Sequence, residues 1–552
     1  MSLFSSSINP ISRQSAIHSL AEKEFDILVV GGGINGVGIA LDAASRGLSV
    51  ALVEADDFAS GTSSKSSKLI HGGLRYLEQY DFKLVREALH ERELMVTTLS
   101  PHLVKPVSFL YPLQEKVKER TYVGAGLALY DALRGFKRTL PGHKHLSQKT
   151  VAEIAPSLRN DIITGAVRYF DAQVDDARHT MMIARTAKRH GAVIVTRAKV
   201  ESLTKKGKRV TGAVVRDLNS KKKVNVKSST VIMCAGVWSD QLHQEFGITP
   251  GYEVKMSKGV HITLPGDAIK ASEGIIIKTA VSVLFIIPWK DQWMIGTTDT
   301  EYLGEASEPL ADRSDVQYII DQANRVIQPR IKIDQVIGVF AGLRPLVANK
   351  KESDTTKLSR EHTVDRPVPG FVSLAGGKYT TYRVMAKDAV DMATNDIIKL
   401  VGESATDKLP IIGADGYWAI EQQIDLISTE FSLKPETVTH LVNRHGSDIG
   451  EILELIQSDR KLALPVLRDL PYLKAEIVYS VTHEGAQSVA DVLERRTRIW
   501  FEANDYGLSA VNAVADLIAP YLGWKAPQKR ESIKEYNELV KRAKISVANL
   551  RK

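Results

Sequence analysis

The sequence is poor in cysteine, which excludes two kinds of chemistry. Its 552 residues contain a single cysteine, Cys234. A lone cysteine supports neither a disulfide framework nor a redox-active cysteine pair within one chain, so we expect a core position for Cys234. Because disulfides accumulate in oxidising compartments, a reducing cytoplasm is the expected location.

Long apolar runs and metal-binding patterns are also lacking. A membrane-spanning helix needs about 20 apolar residues, and the sequence offers no such run. Its first residues lack the apolar core of a secretory signal. It has no HExxH motif, zinc-finger spacing or D-x-D-x-D-G loop, so no metal is predicted. A basic arm with interleaved aromatics is absent as well, so nucleic acid is not an expected partner.

The composition is that of a globular protein of about three domains. Apolar residues make up 43% and charged residues 25% of the chain. Lys and Arg number 73 against 65 Asp and Glu, which gives a net charge of +8. This mild excess is compatible with an anionic substrate or an anionic membrane surface and selects neither.

The hydrophobic pattern changes along the chain. Residues 25–30 and 48–53 read as buried strands that flank a glycine turn and a helix, which together predict a βαβ unit. Residues 192–235 and 252–300 are rich in strand patterns. The chain beyond residue 416 is almost entirely helical in pattern, so a domain boundary is expected near 400–415.

A dinucleotide site is predicted at this first βαβ unit. Gly31, Gly33 and Gly36 fit G-x-G-x-x-G between a strand and a helix. Such glycines let the backbone approach a pyrophosphate at the helix N-terminus. Glu54 ends the second strand, where a carboxylate accepts hydrogen bonds from a ribose.

Two further segments add to this site. Residues 229–236 form an apolar strand that ends in the small residues Ala235 and Gly236, like the second signature of flavin families. Residues 59–76 combine small hydroxyl side chains with two lysines, which suits a pyrophosphate or ribityl chain. The paired glycines that follow His71 would let the backbone pass close to a planar ring.

Several segments, in this order along the chain, resemble the FAD-dependent glycerol-3-phosphate dehydrogenases. They are GTSSKSSKLIHGGLRYLEQYDF (61–82), KGVHI (258–262), IGTTDTEY (295–302), AGLRPL (341–346) and AGGKYTTYR (375–383). The resemblance runs from about residue 24 to 400, and the helical tail suits the family's C-terminal cap.

The resemblance implies an α/β fold with three parts: a glutathione-reductase-like FAD-binding domain, a mixed-sheet substrate domain of D-amino-acid-oxidase type, and a C-terminal all-helical domain. The expected boundaries are 1–24 for a polar lead-in; 25–110, 190–245 and 335–400 for the FAD-binding domain; 111–189 and 246–334 for the substrate domain; and 401–552 for the helical domain.

It also implies FAD as the cofactor and a set of residues that would contact it. Besides the glycine turn and Glu54, the expected FAD contacts are Thr62, Ser63, Ser64, Ser66, Ser67, Lys68, Leu69, His71, Gly73, Val200, Ala235, Gly236, Gly342, Lys378, Thr380 and Thr381. Thr380 or Thr381 would also cap a helix whose positive end faces the flavin N1–C2 carbonyl.

The implied reaction is oxidation of sn-glycerol 3-phosphate to dihydroxyacetone phosphate. The phosphate calls for arginine forks, for which we expect Arg344, placed in a turn, and Arg360. Lys378 and Arg75 would neutralise charge at C2, and Tyr76 would line the pocket. His261 is expected near the substrate and His71 near the flavin. The proton acceptor stays open between these two histidines and Lys378.

The electron acceptor implied by the family is a membrane quinone, which calls for peripheral binding at the inner face of the cell membrane. Basic clusters suited to this are 116–120, 137–144 and 221–223, together with the basic helical stretch 525–552. The first is the weakest by sequence, because Glu115 and Glu119 lie among its cations. The alternatives are a soluble oxidase that makes hydrogen peroxide, an amino-acid oxidase of the same fold and a non-enzymatic nucleotide-binding protein. A homodimer is left open.

Overall fold

The computed structural model describes residues 5–77, 80–134, 139–280, 282–307, 309–348 and 361–551. Its helices are α1 (Pro10–Glu22), α2 (Ile34–Ser45), α3 (Phe82–Leu94), α4 (Lys118–Leu133), α5 (Gln148–Ile154), α6 (Asp176–Arg189), α7 (Ser239–Phe246), α8 (Arg313–Ala323), α9 (Tyr382–Thr394), α10 (Tyr417–Glu421), α11 (Ile424–Phe431), α12 (Pro435–His445), α13 (Ile449–Ser458), α14 (Lys474–Thr482), α15 (Ile499–Glu502), α16 (Val511–Leu522) and α17 (Ala526–Arg551).

The strands form two sheets. They are β1 (Glu24–Val30), β2 (Val50–Val53), β3 (Leu69–Ile70), β4 (Val104–Leu113), β5 (Lys144–Ser147), β6 (Gly165–Val174), β7 (Val193–Val195), β8 (Ala198–Lys206), β9 (Arg209–Asp217), β10 (Lys223–Met233), β11 (Glu253–Pro265), β12 (Gly274–Lys278), β13 (Val283–Trp289), β14 (Gln292–Gly296), β15 (Thr300–Glu301), β16 (Gly338–Ala348), β17 (His362–Val368) and β18 (Phe371–Gly376).

The first sheet is mainly parallel and has the order β17-β18-β10-β1-β2-β7, with β9 and β8 continuing from β10 as an antiparallel meander. The strand β1 is central because its apolar run is buried on both faces. Helices α2, α6 and α9 contribute to the core on one face, and α1 to the core on the other. The expected polar lead-in 1–24 therefore contains a packed helix, whose Leu20 is fully buried.

The second sheet is mixed and has the order β15-β11-β14-β13-β12-β4-β6-β3, with β16 on β11 and β5 on β6. Here the structure differs from the expected ranges, because β4 and β16 belong to this sheet although most of β4 and all of β16 were assigned to the FAD-binding domain. An apolar run predicts a strand but not its partner. The long registers of β4 with β6 and of β16 with β11 decide the membership.

The helices α10–α17 build cores of their own and meet the first sheet through buried ion pairs. Arg496 binds both carboxylate oxygens of Asp57 at 2.7 Å, and Arg495 reaches the same carboxylate at 2.7 Å. Within the described residues, no helix is long and apolar enough to cross a membrane. The same residues contain no group of three or more His, Cys, Asp or Glu side chains that could hold a metal ion.

Candidate cofactor and substrate site

The glycine turn between β1 and α2 leaves no room for side chains at two positions. A Cβ on Gly31, whose φ is +115°, would lie 2.7 Å from the carbonyl oxygen of Cys234, and one on Gly36 would lie 1.9 Å from the oxygen of Gly31. These glycines let β10 pack against the turn. Gly33 differs, because its Cβ would meet only the Ser63 hydroxyl, at 3.2 Å. The turn is therefore open at Gly33, at the start of α2.

Glu54 lies beside this turn. Its carboxylate accepts hydrogen bonds from the backbone N–H of Gly32 at 2.6 Å and of Asp56 at 2.7 Å. Burial, with the nearby charges of Asp56 and Asp57, raises the pKa of Glu54 from 4.5 to about 7. The backbone N–H of Ala198, the first residue of β8, donates to the carbonyl of Glu54 at 2.8 Å. Val200, two residues further along β8, is buried in the core.

The end of β10 lies against the first glycine of the turn. The Cys234 thiol is buried and donates to the carbonyl of Val30 at 3.3 Å, and burial raises its pKa. This is the expected core role for Cys234. Ala235 and Gly236 follow and are half-buried, with Gly236 at a φ of +57°.

The loop that carries most of the expected FAD contacts is held from both sides. Ser63 accepts a hydrogen bond from the backbone N–H of Ile34 at 2.9 Å, at the start of α2. Thr62 donates to the carbonyl of Leu343 on β16 at 2.7 Å. A Cβ on Gly342 would lie 2.4 Å from the carbonyl oxygen of the loop's Lys65. The loop thus bridges the two sheets.

Asp176, the first residue of α6, holds the rest of this loop and was not predicted as a site residue. Its carboxylate accepts from the Ser66 hydroxyl at 2.7 Å and from the Lys68 ammonium at 3.0 Å, and it also pairs with Arg498. Lys68 therefore points at Asp176, and also donates to the carbonyl of Ser64 at 3.1 Å. Burial and the charge of Arg498 lower the pKa of Lys68 to about 8. The sequence signal was the acidic start of α6, which by itself indicates only a helix terminus.

The segments 71–76 and 378–381 lie together. Thr380 exchanges hydrogen bonds of 3.3 Å with the backbone N–H and carbonyl of His71. The Lys378 ammonium lies 3.6 Å from the centroid of the Tyr76 ring, and a Cβ on Gly73 would lie 3.6 Å from the same nitrogen.

Leu69, Arg75 and Thr381 were also predicted at the site. Leu69 is buried in β3, where it pairs with Gln173. Arg75 lies in the single helical turn Leu74–Tyr76, and its side chain lies outside the described part of the chain. Thr381 directly precedes α9, but the expected capping bond is wrong, because its hydroxyl donates to the carbonyl of Lys378 at 3.4 Å.

Arg344 lies in the middle of β16, so the expected turn at this residue is wrong. The register pairs Arg344 with Ser257 and Gly342 with Gly259 on β11. The Arg344 guanidinium donates to the hydroxyl of Thr297 at 2.8 Å and the carbonyl of Thr298 at 3.2 Å, which orients it along this face of the sheet. Arg360, its expected partner, lies outside the described residues.

His261 lies on the same face of the second sheet as Arg344. Arg344 pairs with Ser257 on β11, and His261 follows Ser257 by four residues, so its side chain is on the same face of the strand. Its Nε2 is 2.8 Å from the Ser67 hydroxyl, and its ring stacks on Phe340 at 4.8 Å between centroids. Burial, with the positive charges of Arg344 and Lys68, holds the pKa of His261 well below 6.5. The imidazole is therefore neutral at physiological pH. Phe340 was not predicted, since a phenylalanine in a strand carries no functional signal.

Comparison with known proteins decides the family. Residues 26–390 match the family described as FAD dependent oxidoreductase, and residues 404–529 match the C-terminal domain of alpha-glycerophosphate oxidase. The chain is 45% identical to a glycerol-3-phosphate dehydrogenase of Mycobacterium leprae over 98% of this chain and 92% of that protein. The chain belongs to the FAD-dependent glycerol-3-phosphate dehydrogenase family.

Two other members extend the comparison. The human mitochondrial glycerol-3-phosphate dehydrogenase is 34% identical over 95% of this chain and 74% of its own. The X-ray structure of the Bacillus halodurans enzyme complexed with FAD superposes with a TM-score of 0.79 at 28% identity, covering 97% of this chain and 98% of that one. The predicted family, fold class and FAD cofactor are confirmed.

The residues present fit FAD. The open side of Gly33, the start of α2 with a glycine as its N-cap residue, and the Glu54 carboxylate match the needs of a pyrophosphate and a ribose. The buried Asn35 Oδ1 has no hydrogen-bond partner among the described residues, which suits a site completed by a ligand. The loop 62–69 and the segments 71–76 and 378–381 would enclose the flavin end.

Proposed function

We propose that this flavoprotein oxidises sn-glycerol 3-phosphate to dihydroxyacetone phosphate and passes the electrons to a membrane quinone. The observation that carries the proposal is a neutral histidine and an oriented arginine side by side on one face of the second sheet. His261 and Arg344 lie on adjacent strands of that face. This pair offers a proton acceptor and an anion ligand to a phosphorylated alcohol, and the names of the relatives support the same substrate.

Positively charged side chains would act at both ends of the substrate. Arg344 binds the phosphate, and its bonds to Thr297 and Thr298 fix the direction of its guanidinium. Lys378, Tyr76 and Arg75 would line the side of the pocket formed by segments 71–76 and 378–381. The ammonium of Lys378 then stabilises negative charge on the C2 oxygen as its proton leaves.

His261 takes the proton of the C2 hydroxyl. The imidazole accepts it at Nε2, the nitrogen that lies 2.8 Å from the Ser67 hydroxyl. A neutral imidazole is in the form that a general base requires. FAD, when bound, supplies the acceptor for the hydride that leaves C2 and carries the two electrons.

Quinone as the electron acceptor and the inner face of the cell membrane as the location are parts of the same proposal. Both derive from the family resemblance, and the absence of a membrane-spanning helix among the described residues is compatible with them. The competing acceptor is oxygen, which would make the protein a peroxide-forming oxidase.

One experiment tests the reaction and a second tests the acceptor. The yellow holoenzyme should bleach under nitrogen when glycerol 3-phosphate is added and should stay yellow with glycine or proline. Bleaching by an amino acid and not by glycerol 3-phosphate would show that glycerol 3-phosphate is not the substrate. Reoxidation should then be faster with a short-chain quinone than with air, and stoichiometric hydrogen peroxide in air with no response to quinone would assign the oxidase reaction.

A further inference from the structure

Lys68 is a buried cation in the loop that bridges the two sheets, and only 1% of its surface is exposed. Its ammonium donates to the carboxylate of Asp176 at 3.0 Å and to the carbonyl of Ser64 at 3.1 Å. Taking an ammonium out of water is costly, and an apolar side chain of similar length would fill the same space without that cost. A charge kept at such a position therefore calls for a role that an apolar side chain could not supply.

Three aromatic rings flank the Lys68 ammonium. Its Nζ lies 5.5 Å from the ring centroid of Phe340, 5.6 Å from that of Phe501 and 5.8 Å from that of Trp289. A cation at such distances is attracted by the electrons of the ring faces. The rings come from β16, α15 and β13, so the second sheet and the helical domain both contribute to the site of this charge. Because little water reaches it, the charge is weakly screened and acts on its neighbours.

His261, the proposed base, is linked to Lys68 in two ways. Its imidazole stacks on Phe340, the ring that also flanks the ammonium, with 4.8 Å between the centroids. Its Nε2 lies 2.8 Å from the hydroxyl of Ser67, the residue directly before Lys68. The ammonium and the imidazole therefore lie in the same buried region, in contact with one ring.

The charged groups that act on His261 among the described residues are both cations. They are Arg344 on β16 and Lys68 in the loop. The strand on the other side of β11 brings no charge to the ring, because β14 meets it with Gly296, where a Cβ would lie 2.3 Å from a ring carbon. The charge of Arg344 is partly balanced by Asp299, at 3.5 Å. The charge of Lys68 depends on how fully Asp176 balances it.

Asp176 does not neutralise Lys68 alone, because arginines of the helical domain share the acids at the start of α6. Arg498 binds Asp176 and also donates to Asp175 at 2.8 Å, and Arg444 reaches Asp175 at 3.3 Å. Burial and the charge of Arg498 lower the pKa of Lys68 to about 8. The pKa of His261 lies well below 6.5. Lys68 therefore keeps its positive charge over the pH range in which His261 gains or loses a proton.

We propose that Lys68 is a positioning residue that acts on the base through its charge and keeps His261 free of a proton in the resting enzyme. A second positive charge on the imidazole is disfavoured beside a buried ammonium. The carboxylate of Asp176 and the three rings hold the ammonium in place for this purpose. The proposal rests on the proposed function, in which His261 takes the proton of the C2 hydroxyl.

Three substitutions separate the charge of Lys68 from its hydrogen bond. Lys68→Arg keeps a charge and a donor for Asp176, Lys68→Gln keeps a donor without the charge, and Lys68→Met removes both. The measurement is the rate of flavin reduction in the FAD-loaded protein, under nitrogen and with saturating glycerol 3-phosphate, from about pH 5 to 8.5. The substrate's own phosphate titrates alike in every variant, so differences between the profiles report on the protein.

The acid limb of the profile should follow the charge. Without the ammonium the imidazole holds its proton up to a higher pH, so the limb in Lys68→Gln and Lys68→Met should move up by about one pH unit. Their rates should then be about tenfold below that of the wild type at the acid end and should recover toward pH ~8. Lys68→Arg should keep the limb of the wild type.

The matched control is Lys188→Gln at the other end of α6. Lys188 donates to the carbonyl of Ser7 at 2.7 Å, and burial with the nearby charge of Arg185 lowers its pKa to about 8 as well. This variant should keep the acid limb of the wild type. The flavin absorbance per protein is measured for every variant, and all rates are expressed per bound flavin.

A uniform fall in rate at every pH, with the limb unmoved in Lys68→Gln and Lys68→Met, would give Lys68 a structural role only and overturn the proposal. A limb that moves in Lys68→Met but not in Lys68→Gln would assign the effect to the hydrogen bond and overturn it too. If Lys68→Met loses FAD, the comparison of Lys68→Gln with Lys68→Arg decides. Failure of glycerol 3-phosphate to bleach the wild type overturns the proposed function, whereas an unmoved limb in variants that bleach overturns the role of Lys68 alone.

Discussion

Ser67 and His261 join the two sheets at the candidate site by a hydrogen bond of 2.8 Å between the hydroxyl and Nε2. Ser67 belongs to the loop that follows the first βαβ unit, and His261 to a strand of the second sheet. Asp176 fixes the loop on one side of Ser67 through Ser66 and on the other through Lys68. The position of the proposed base therefore depends on an acid that lies outside every signature segment.

Replacing Ser67 by alanine should slow turnover without releasing FAD. The change removes the hydroxyl that lies 2.8 Å from His261 Nε2 and leaves the stacking on Phe340 to orient the ring. Positioned general bases contribute about 10²–10⁴-fold. We expect kcat to fall by about tenfold or more while the flavin absorbance per protein stays constant. An unchanged kcat with ferricyanide as acceptor would show that this hydrogen bond does not position the base.

Arg344→Ala should weaken the binding of glycerol 3-phosphate and leave the binding of FAD unchanged. Loss of a charge-assisted bidentate contact costs about 1.5–3 kcal/mol, which corresponds to about 10–150-fold in kcat/KM for glycerol 3-phosphate. Arg330→Ala serves as the control, because Arg330 is an exposed arginine elsewhere in the substrate domain. A KM equal to that of the wild type in the Arg344 variant would show that Arg344 does not bind the phosphate.

FAD affinity should depend on pH through Glu54. The pKa of Glu54 in the protein without ligand is raised to about 7, so the carboxylate is charged above that pH and protonated below it. Ribose hydroxyls donate to the charged form, so FAD binding should strengthen as pH rises through about 7. It should weaken by up to about tenfold per unit as pH falls below it.

Titration of the apoprotein with FAD between about pH 5.5 and 8.5 measures this dependence. In Glu54→Gln the affinity should be lower at high pH and nearly independent of pH. The same slope in the variant as in the wild type would assign the proton to another group.

A bulky side chain at Gly33 should exclude the cofactor from an otherwise folded protein. A Cβ there would lie 3.2 Å from the Ser63 hydroxyl, so this one side chain has to shift by a few tenths of an ångström. The rest of the leucine side chain then fills the approach to the pyrophosphate. The purified variant should be colourless and should give the far-UV circular dichroism of the wild type. The control is Gly450→Leu on α13, where no atom lies within 4 Å of the added Cβ. Stoichiometric FAD in Gly33→Leu would overturn the assignment of this turn.

The sequence by itself determined the features that depend on local spacing. The spacing of Gly31, Gly33 and Gly36 predicts a turn between a strand and a helix, because close backbone contacts at Gly31 and Gly36 admit only glycine. The order of the signature segments determined the family, and with it FAD and the three-part fold. The core position of Cys234 was predicted from its apolar neighbours in the sequence, which indicate a buried strand.

Only the tertiary structure decided which distant groups meet. Lys68 pairs with Asp176 and Arg344 with Thr297, and both contacts depend on packing and strand register between segments far apart in the chain. The sheet to which β4 and β16 belong was decided in the same way, because apolar runs of similar composition pair equally well until register and turns select a partner. The exposure of Tyr122 and Leu129 on α4 was likewise decided by the tertiary structure. Both sides of this helix are apolar, so the pattern alone could not say which side faces water.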